Sequence, residues 1–345
     1  MIKIDPKFVE QVKRATSYED LFPLMQNAIE LEHATIPPYL TAIFSLKPKT
    51  NNEIRKLIHS IVIEEMLHMT ISSNILNALG GAPAINNKSF VPRYPTKLPM
   101  GIGEDLVVGL ANYSIDQVVN VFMRIEEPEH PIPFESLAAE ALTFSTIGEF
   151  YAAIQAKIIE LPGEKLPGDK KRQVTSSFFP DDLLYPIHTT AEAVSAINII
   201  VRQGEGTTTT PFDEEGHLAH YYEFEELYKG RRLVKDPSAP NGYSFSGDVI
   251  PFDQDDVFPL FPNTKAAMLA AGSEERRRAD DFNVGYSRLL NGLHKTFNGC
   301  PDFLDGTIGL MYDVKLSGEK LCATPFPGVT GMNIGPPFEF VDVND

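Results

Sequence analysis

A chain of 345 residues with 43% apolar and 22% charged side chains can bury a large core and lies outside the disordered class. A formal charge of −17 excludes nucleic acid and anionic membrane surfaces as partners, because both are gripped by clustered Lys and Arg. Two cysteines, Cys300 and Cys322, supply neither a Cys-x-x-Cys metal site nor a disulfide framework. The opening MIKIDPKFVEQVKRA has no apolar signal core, and no window reaches the roughly 20 apolar residues of a bilayer span. The expectation is a cytoplasmic protein with free thiols.

Residues 17–46 place Leu21, Leu24, Ala28, Ile36 and Ile43 at helical spacing, which predicts a long helix. Pro37 and Pro38 lie inside it and predict a kink about one turn beyond Glu32. Residues 52–79 predict a second helix, stopped by Gly80 and Gly81, and the short link makes the two antiparallel. From Gly81 to Pro133 the chain is rich in Pro and Gly and holds one short helix, about Ser114 to Glu126, with Ser114 as N-cap. A connection this long fits the crossover between two helix pairs of a bundle. Residues 134–160 predict the third long helix. The fourth segment is interrupted: a helix from about Thr189 to Gln203, a turn at Gly204–Thr207, and a helix from about Asp213 to Tyr228. After Gly230 the composition shifts to Pro, Gly, Asp and Phe, and two amphipathic helices follow at about 274–298 and 301–318. The chain thus reads as a mainly α four-helix bundle over 1–230 with a C-terminal extension, 231–345, packed on it as an added helical layer. Strand signals are weak.

The chemistry centres on Glu65-Met66-Leu67-His68. Residues three apart share a helix face, so carboxylate and imidazole can meet one metal ion. Both sit in register with Ile58, Ile61, Ser72 and Ile75 on the face to be buried, where a carboxylate must be paired or ligate metal. A Glu65–His68 hydrogen bond without metal is the competing account. Glu32 is in phase with Met25, Ala28, Thr35, Ile36 and Tyr39 and points inward. On the third helix Glu149 lines up with Ser145, Ala152 and Ala156, small residues that leave room for metal, whereas Glu135 and Glu140 read as helix-dipole charges. The fourth segment offers Glu205 at the break, then Glu214, His217, His220 and Glu223, with His220 on the inward stripe. One Glu from each of two helices with Glu-x-x-His on the others is how bundles hold two metals, and mixed carboxylate and imidazole donors favour iron, with manganese as the alternative.

The runs Ala28-Ile-Glu-Leu-Glu-His-Ala-Thr-Ile-Pro-Pro-Tyr-Leu40, Glu64-Glu-Met-Leu-His68, Thr146-Ile-Gly-Glu-Phe-Tyr151 and Gln203-Gly-Glu-Gly-Thr207 resemble the ferritin-like family associated with iminophenyl-pyruvate dimer synthases. Phe282-Asn-Val-Gly-Tyr-Ser-Arg-Leu-Leu290, Phe297-Asn-Gly299 and Gly335-Pro-Pro-Phe338 resemble its C-terminal half, so the likeness covers roughly residues 18–340. It implies a ferritin-like bundle and oxidative chemistry on amino-acid-derived imines, such as that leading to chromopyrrolic acid. In the known dimer synthases this region is one part of a much larger protein. Haem has been associated with those enzymes, and this chain carries no Cys-x-x-Cys-His signature. Carrying the bundle's metal pattern over gives Glu32, Glu65, His68 and Glu149, followed by His220 and Glu205. His217 stands where a carboxylate would have completed Glu-x-x-His with His220.

The functional expectation is a dinuclear non-haem oxidase or oxygenase using O2 or peroxide on a small amino-acid-derived substrate, an imine of a 2-oxo acid being one form, with a partner amino-acid oxidase to supply it. Tyr39 is the candidate catalytic residue that tunes the oxidant, with plain core packing as the other account. Manganese-type peroxide disproportionation, a non-catalytic metal-binding bundle and a metal-free interaction bundle are the alternatives, and homo-oligomerisation is left open. Gly101-Ile-Gly103 lacks the third glycine of a dinucleotide loop, and Arg231-Arg232 and Arg276-Arg277-Arg278 offer guanidinium groups for a carboxylate substrate, with solvated clusters at element ends as the plainer account.

Overall fold

The computed structural model describes residues 4–103, 105–128, 132, 146–176, 178–205, 210–212 and 216–343. Helix α1 (Pro6–Arg14) precedes the antiparallel pair α2 (Phe22–Ser45) and α3 (Asn52–Ala78), whose facing sides form the largest helix–helix contact of the molecule. Arg55 of α3 closes this hairpin. Its guanidinium donates to the carbonyls of Ile43, Leu46 and Lys47 at 3.1, 2.7 and 3.2 Å, satisfying acceptors that the end of α2 leaves open.

Helix α2 runs as one element through Pro37 and Pro38. Pro38 has no N–H, so the Ala34 carbonyl loses its helical donor, and the Tyr94 hydroxyl takes it at 2.7 Å. An external donor therefore supports the turn that carries Glu32 and Thr35.

The crossover contains α4, built of Ile115–Gln117, a π turn at Val118–Phe122, and Met123–Ile125, with Ser114 capping it as expected. Helix α5 (Ile147–Glu160) departs from the sequence reading. Thr146 is extended and its side chain accepts from the Glu149 N–H while Glu149 accepts from the Thr146 N–H, so the helix starts here rather than running unbroken from 134. Residues 133–145, and with them Glu135, Glu140 and Ser145, lie outside the described residues. Helix α6 (Thr190–Glu205) packs on α3 and α5. Helix α7 (His220–Lys229) begins at His220, seven residues later than the predicted start at Asp213, and ends at Gly230 in the left-handed conformation.

Beyond it lie two short pairings, β1 (Val234–Lys235) antiparallel to β2 (Tyr243–Ser244), and β3 (Leu260–Phe261) parallel to β4 (Asn333–Ile334). The C-terminal hairpin α8 (Glu274–Phe297) and α9 (Leu304–Cys322) lies against α2 and α3. The two C-terminal motifs meet there. Asn283 accepts from the Glu339 N–H at 2.9 Å and donates to its carboxylate at 3.2 Å, and Phe282 and Tyr286 pack edge-on against Phe338. Cys300 is exposed and Cys322 buried, and both are free thiols.

Close approach of α9 to α2 requires Gly318, where an added Cβ would fall 2.5 Å from the Phe44 ring. Gly318→Ala is expected to lower stability by about 1–3 kcal/mol despite alanine's better helix propensity, read as a lower midpoint in urea unfolding. No helix among the described residues is long and apolar enough to cross a membrane.

Candidate metal centre

Helical spacing brings Glu32, Thr35 and Tyr39 to one face of α2 and Glu65 and His68 to the facing side of α3, all buried. Three further elements close the space between them. The end of α4 contributes Glu126, α5 contributes Tyr151, and α7 contributes His220 from its first residue.

The three carboxylates share one design. Each holds one oxygen on a hydroxyl and turns the other toward the centre. Glu32 accepts from Tyr151 at 2.5 Å through Oε1, Glu65 accepts from Thr35 at 2.9 Å through Oε2, and Glu126 accepts from Tyr39 through Oε1. The remaining oxygens face imidazoles: Glu32 Oε2 lies 3.7 Å from His68 Nδ1, while Glu65 Oε1 and Glu126 Oε2 lie 3.0 and 3.4 Å from His220 Nδ1. The histidines repeat the pattern. His68 Nε2 meets the Gln203 amide oxygen at 2.8 Å and His220 Nε2 meets Glu64 at 3.0 Å, which leaves Nδ1 of each directed inward. The two rings stand 5.6 Å apart. Outer partners of this kind are how proteins fix the orientation of metal-binding imidazoles and carboxylates.

Two overlapping trios result, Glu32–Glu65–His68 and Glu65–Glu126–His220, each with its ligand atoms within 4.8 Å of one another. Glu65 belongs to both. The donor set fits a divalent cation on two counts. His220 Nδ1 is buried facing two carboxylate oxygens and meets neither with hydrogen-bond geometry, a placement that suits a cation held between them. The surrounding wall also holds no lysine or arginine among the described residues to offset the carboxylates.

Electrostatics follows from this crowding. Burial, then the charge of Glu126, raises Glu65 to about 7, with His220 opposing. For His220 burial opposes the proton, but Glu126, Glu64 and Glu65 outweigh it and hold the imidazole well above its ordinary value. His68 is raised against burial by Glu32 and Glu65. Burial and neighbouring carboxylates also push Tyr39 and Tyr151 up, so both hydroxyls stay protonated donors. Tyr39 is fixed by Phe122 and Phe224, with ring centroids at 4.8 and 5.2 Å. Next to His220, burial raises Glu223 to about 8.

The ferritin-like family model matches residues 25–229, more than half of the chain and the whole of this cluster. The chain belongs to the ferritin-like family. It is 21% identical to the dichlorochromopyrrolate synthase of Lentzea aerocolonigenes, an alignment covering 97% of this chain but 37% of that protein, so the chain spans little more than a third of the relative's length. A ferritin-like protein from Caulobacter vibrioides of known crystal structure superposes with a TM-score of 0.58 over 91% of this chain and 96% of its own, at 22% identity, a likeness of fold. These findings agree with the resemblance read from the motifs and with a ferritin-like bundle carrying a crossover and an added C-terminal helical layer.

Within this ferritin-like bundle, Glu32, Glu65, His68 and His220 converge. Glu149 does not. It is exposed and occupied by the capping box at the start of α5, and Glu126 supplies the carboxylate expected of it. Glu205 ends α6, and its side chain lies outside the described residues, as does Glu214. His217 is exposed and precedes α7, so it shares no helical face with His220. Tyr39 lies behind Glu126, not among the inward donors. The residues that motif reading passed over are Glu126, Glu64 and Gln203. A signal for Glu126 exists: it follows Phe122 by four and Met123 by three, both buried, which puts it on the apolar side of α4.

Proposed function

We propose that this protein is a dinuclear non-haem metal oxidase that turns O2 or peroxide on a small amino-acid-derived substrate. The carrying observation is the set of five inward donors, Glu32, Glu65, Glu126, His68 and His220, each fixed by a partner on its other atom. Glu32 and His68 would hold one ion, Glu126 and His220 the other, with Glu65 between them. Iron is the preferred metal for this oxygen-rich set with two imidazoles, and manganese is the alternative. When bound, a pair of redox metals supplies the electrons that activate O2 or peroxide.

The chain's own groups do the rest. Tyr151, Thr35 and Tyr39 keep the carboxylates oriented by donating to them, and Gln203 and Glu64 set the histidine tautomers. Glu223, raised to about 8 by burial, holds a proton near neutral pH close to His220 and Glu64. A cavity of about 50 Å³ lies against Glu32, Glu65, His68 and Glu126, walled otherwise by Leu31, Ile102 and other apolar side chains. A single water needs about 10–15 Å³ of such space, so this one has room for molecules the size of O2 or peroxide. The kinship with a dichlorochromopyrrolate synthase supports an imine of a 2-oxo acid as the organic substrate.

Iron-reconstituted protein is expected to consume O2 when an amino-acid oxidase generates such imines in the same vessel, beyond the oxidase's own consumption, measured with an oxygen electrode. No excess uptake across aromatic and aliphatic amino acids would sink this assignment. The small cavity favours one second reading, peroxide disproportionation, which shows itself as oxygen release from peroxide with no organic substrate present.

A further inference from the structure

The α2–α3 hairpin also borders a second and larger cavity, separate from the one at the metal centre. His33, Ile36 and Leu40 of α2 and Val62, Met66 and Met69 of α3 line it, whereas Glu32, Glu65 and His68 do not, and no residue lines both this cavity and the one at the metal centre. The hairpin α8–α9 forms the far wall. The cavity measures about 280 Å³, near the lower end of the ~300–1,000 Å³ range of small-molecule sites. Along α3 its lining runs from Arg55 to Thr70, a rise of about 22 Å at ~1.5 Å per residue, so the space is elongated.

Its walls are apolar over most of their length, and its charges sit at one end. Arg55 and His59 lie one helical turn apart on α3, and Lys315 approaches from α9. The three share one stretch of the lining, and partial burial, with the charges of Lys315 and Arg55, lowers His59. The chain carries 47 acidic residues, yet none lines this cavity. Glu319 lies 3.6 Å from Arg55 and offsets part of its charge, and the same guanidinium is engaged by the carbonyls that end α2. Lys315 is exposed at the rim, and among the described residues no carboxylate lies within ion-pair distance of it. The opposite end is closed by uncharged groups: burial drives His33 down to about 3, and its Nε2 meets the Tyr286 hydroxyl at 2.6 Å.

We propose that this cavity binds a linear aliphatic monocarboxylate, with its chain laid along α3 and its carboxylate at Lys315. A volume of about 280 Å³ spread along this length favours an extended chain as the occupant. Met66, Met69 and Met311 give the wall unbranched, adaptable side chains that follow a flexible ligand. Charge complementarity selects the head group: a positive mouth on a strongly acidic protein concentrates a carboxylate where the rest of the surface repels it.

Isothermal titration of the full chain with dodecanoate, below its micelle concentration, tests this, with 1-dodecanol as the uncharged control. One dodecanoate per chain is expected, in both chelated and iron-loaded protein, because the cavity shares no lining residue with the metal centre. Lys315→Glu is expected to weaken dodecanoate about fivefold or more, the factor that a partly exposed ion pair supplies, and to leave dodecanol unchanged. Leu293→Trp fills the cavity and is expected to abolish binding of both; Val62→Phe serves where that variant does not fold. Absence of dodecanoate binding to the wild-type chain overturns the proposal, as does binding that survives cavity filling. Equal loss of both probes in Lys315→Glu overturns the carboxylate assignment.

Discussion

Glu65→Ala is expected to empty both halves of the metal centre, whereas Glu32→Ala or Glu126→Ala empties one. Reconstituted wild-type protein should carry about two iron or manganese ions per chain, the Glu65 variant close to none, and the other two about one, by plasma mass spectrometry after gel filtration. The asymmetry comes from position: Glu65 is the one side chain common to both trios, so its loss strips a ligand from each ion. Stability should move the other way in the absence of metal. The three carboxylates crowd one buried space with no lysine or arginine beside them, and removing one relieves repulsion. Metal-free Glu65→Ala is therefore expected to melt at or above the wild-type temperature, while metal-loaded wild type melts above both. Unchanged metal content in Glu65→Ala would falsify the shared-ligand arrangement.

The centre was half legible in the sequence, and the division follows from locality. Glu65 and His68 are three apart on one helix, and Glu32 repeats in phase with an apolar stripe, so 3.6-residue periodicity alone orients them. The same periodicity located α2, α3, α6, α8 and α9 to within a few residues. Glu126 escaped because its approach depends on where the crossover lays α4 against α7, a non-local fact. The π turn at Val118–Phe122 is the local mark of that site, since such turns gather at functional positions, but it shifts the helical phase in a way that spacing arguments do not anticipate. Glu149 was misplaced for a different reason. Treating 134–160 as one helix put it mid-helix on an inward face, although Thr146-Ile-Gly-Glu149 has the spacing of a capping box, which marks a helix start and engages the carboxylate locally. At the fourth segment the sequence showed the interruption but not its consequence, which is that His220 enters the centre from the first residue of α7 and has Glu64 of α3 behind its ring.

The metal-free protein is expected to lose stability as pH rises from about 4.5 toward 8, the reverse of an ordinary ion-paired carboxylate. Burial and the charge of Glu126, opposed by His220, raise Glu65 from 4.5 to about 7, and burial raises Glu223 to about 8. A carboxyl with a raised folded pKa binds its proton more tightly in the native state. Its stabilisation is complete below the unfolded value of 4.5 and is lost as pH rises through the folded value. His220 acts in the same direction, because its neighbouring carboxylates outweigh burial and hold its proton in the folded state, so its contribution is full below 6.5 and fades as pH climbs through the raised value. At about 1.4 kcal/mol per pKa unit, Glu65 alone accounts for a loss on the order of 3 kcal/mol between pH 4.5 and 7. A bound divalent cation replaces these protons and inverts the dependence, since acid then competes with the metal for the same atoms. Calorimetric melting temperatures between pH 5 and 7.5 should accordingly fall with pH for chelated protein and rise with pH for the loaded form. Glu65→Gln, which cannot titrate, should flatten the chelated curve. Parallel slopes for chelated and loaded wild type would mean that the cations bind somewhere other than Glu65 and His220.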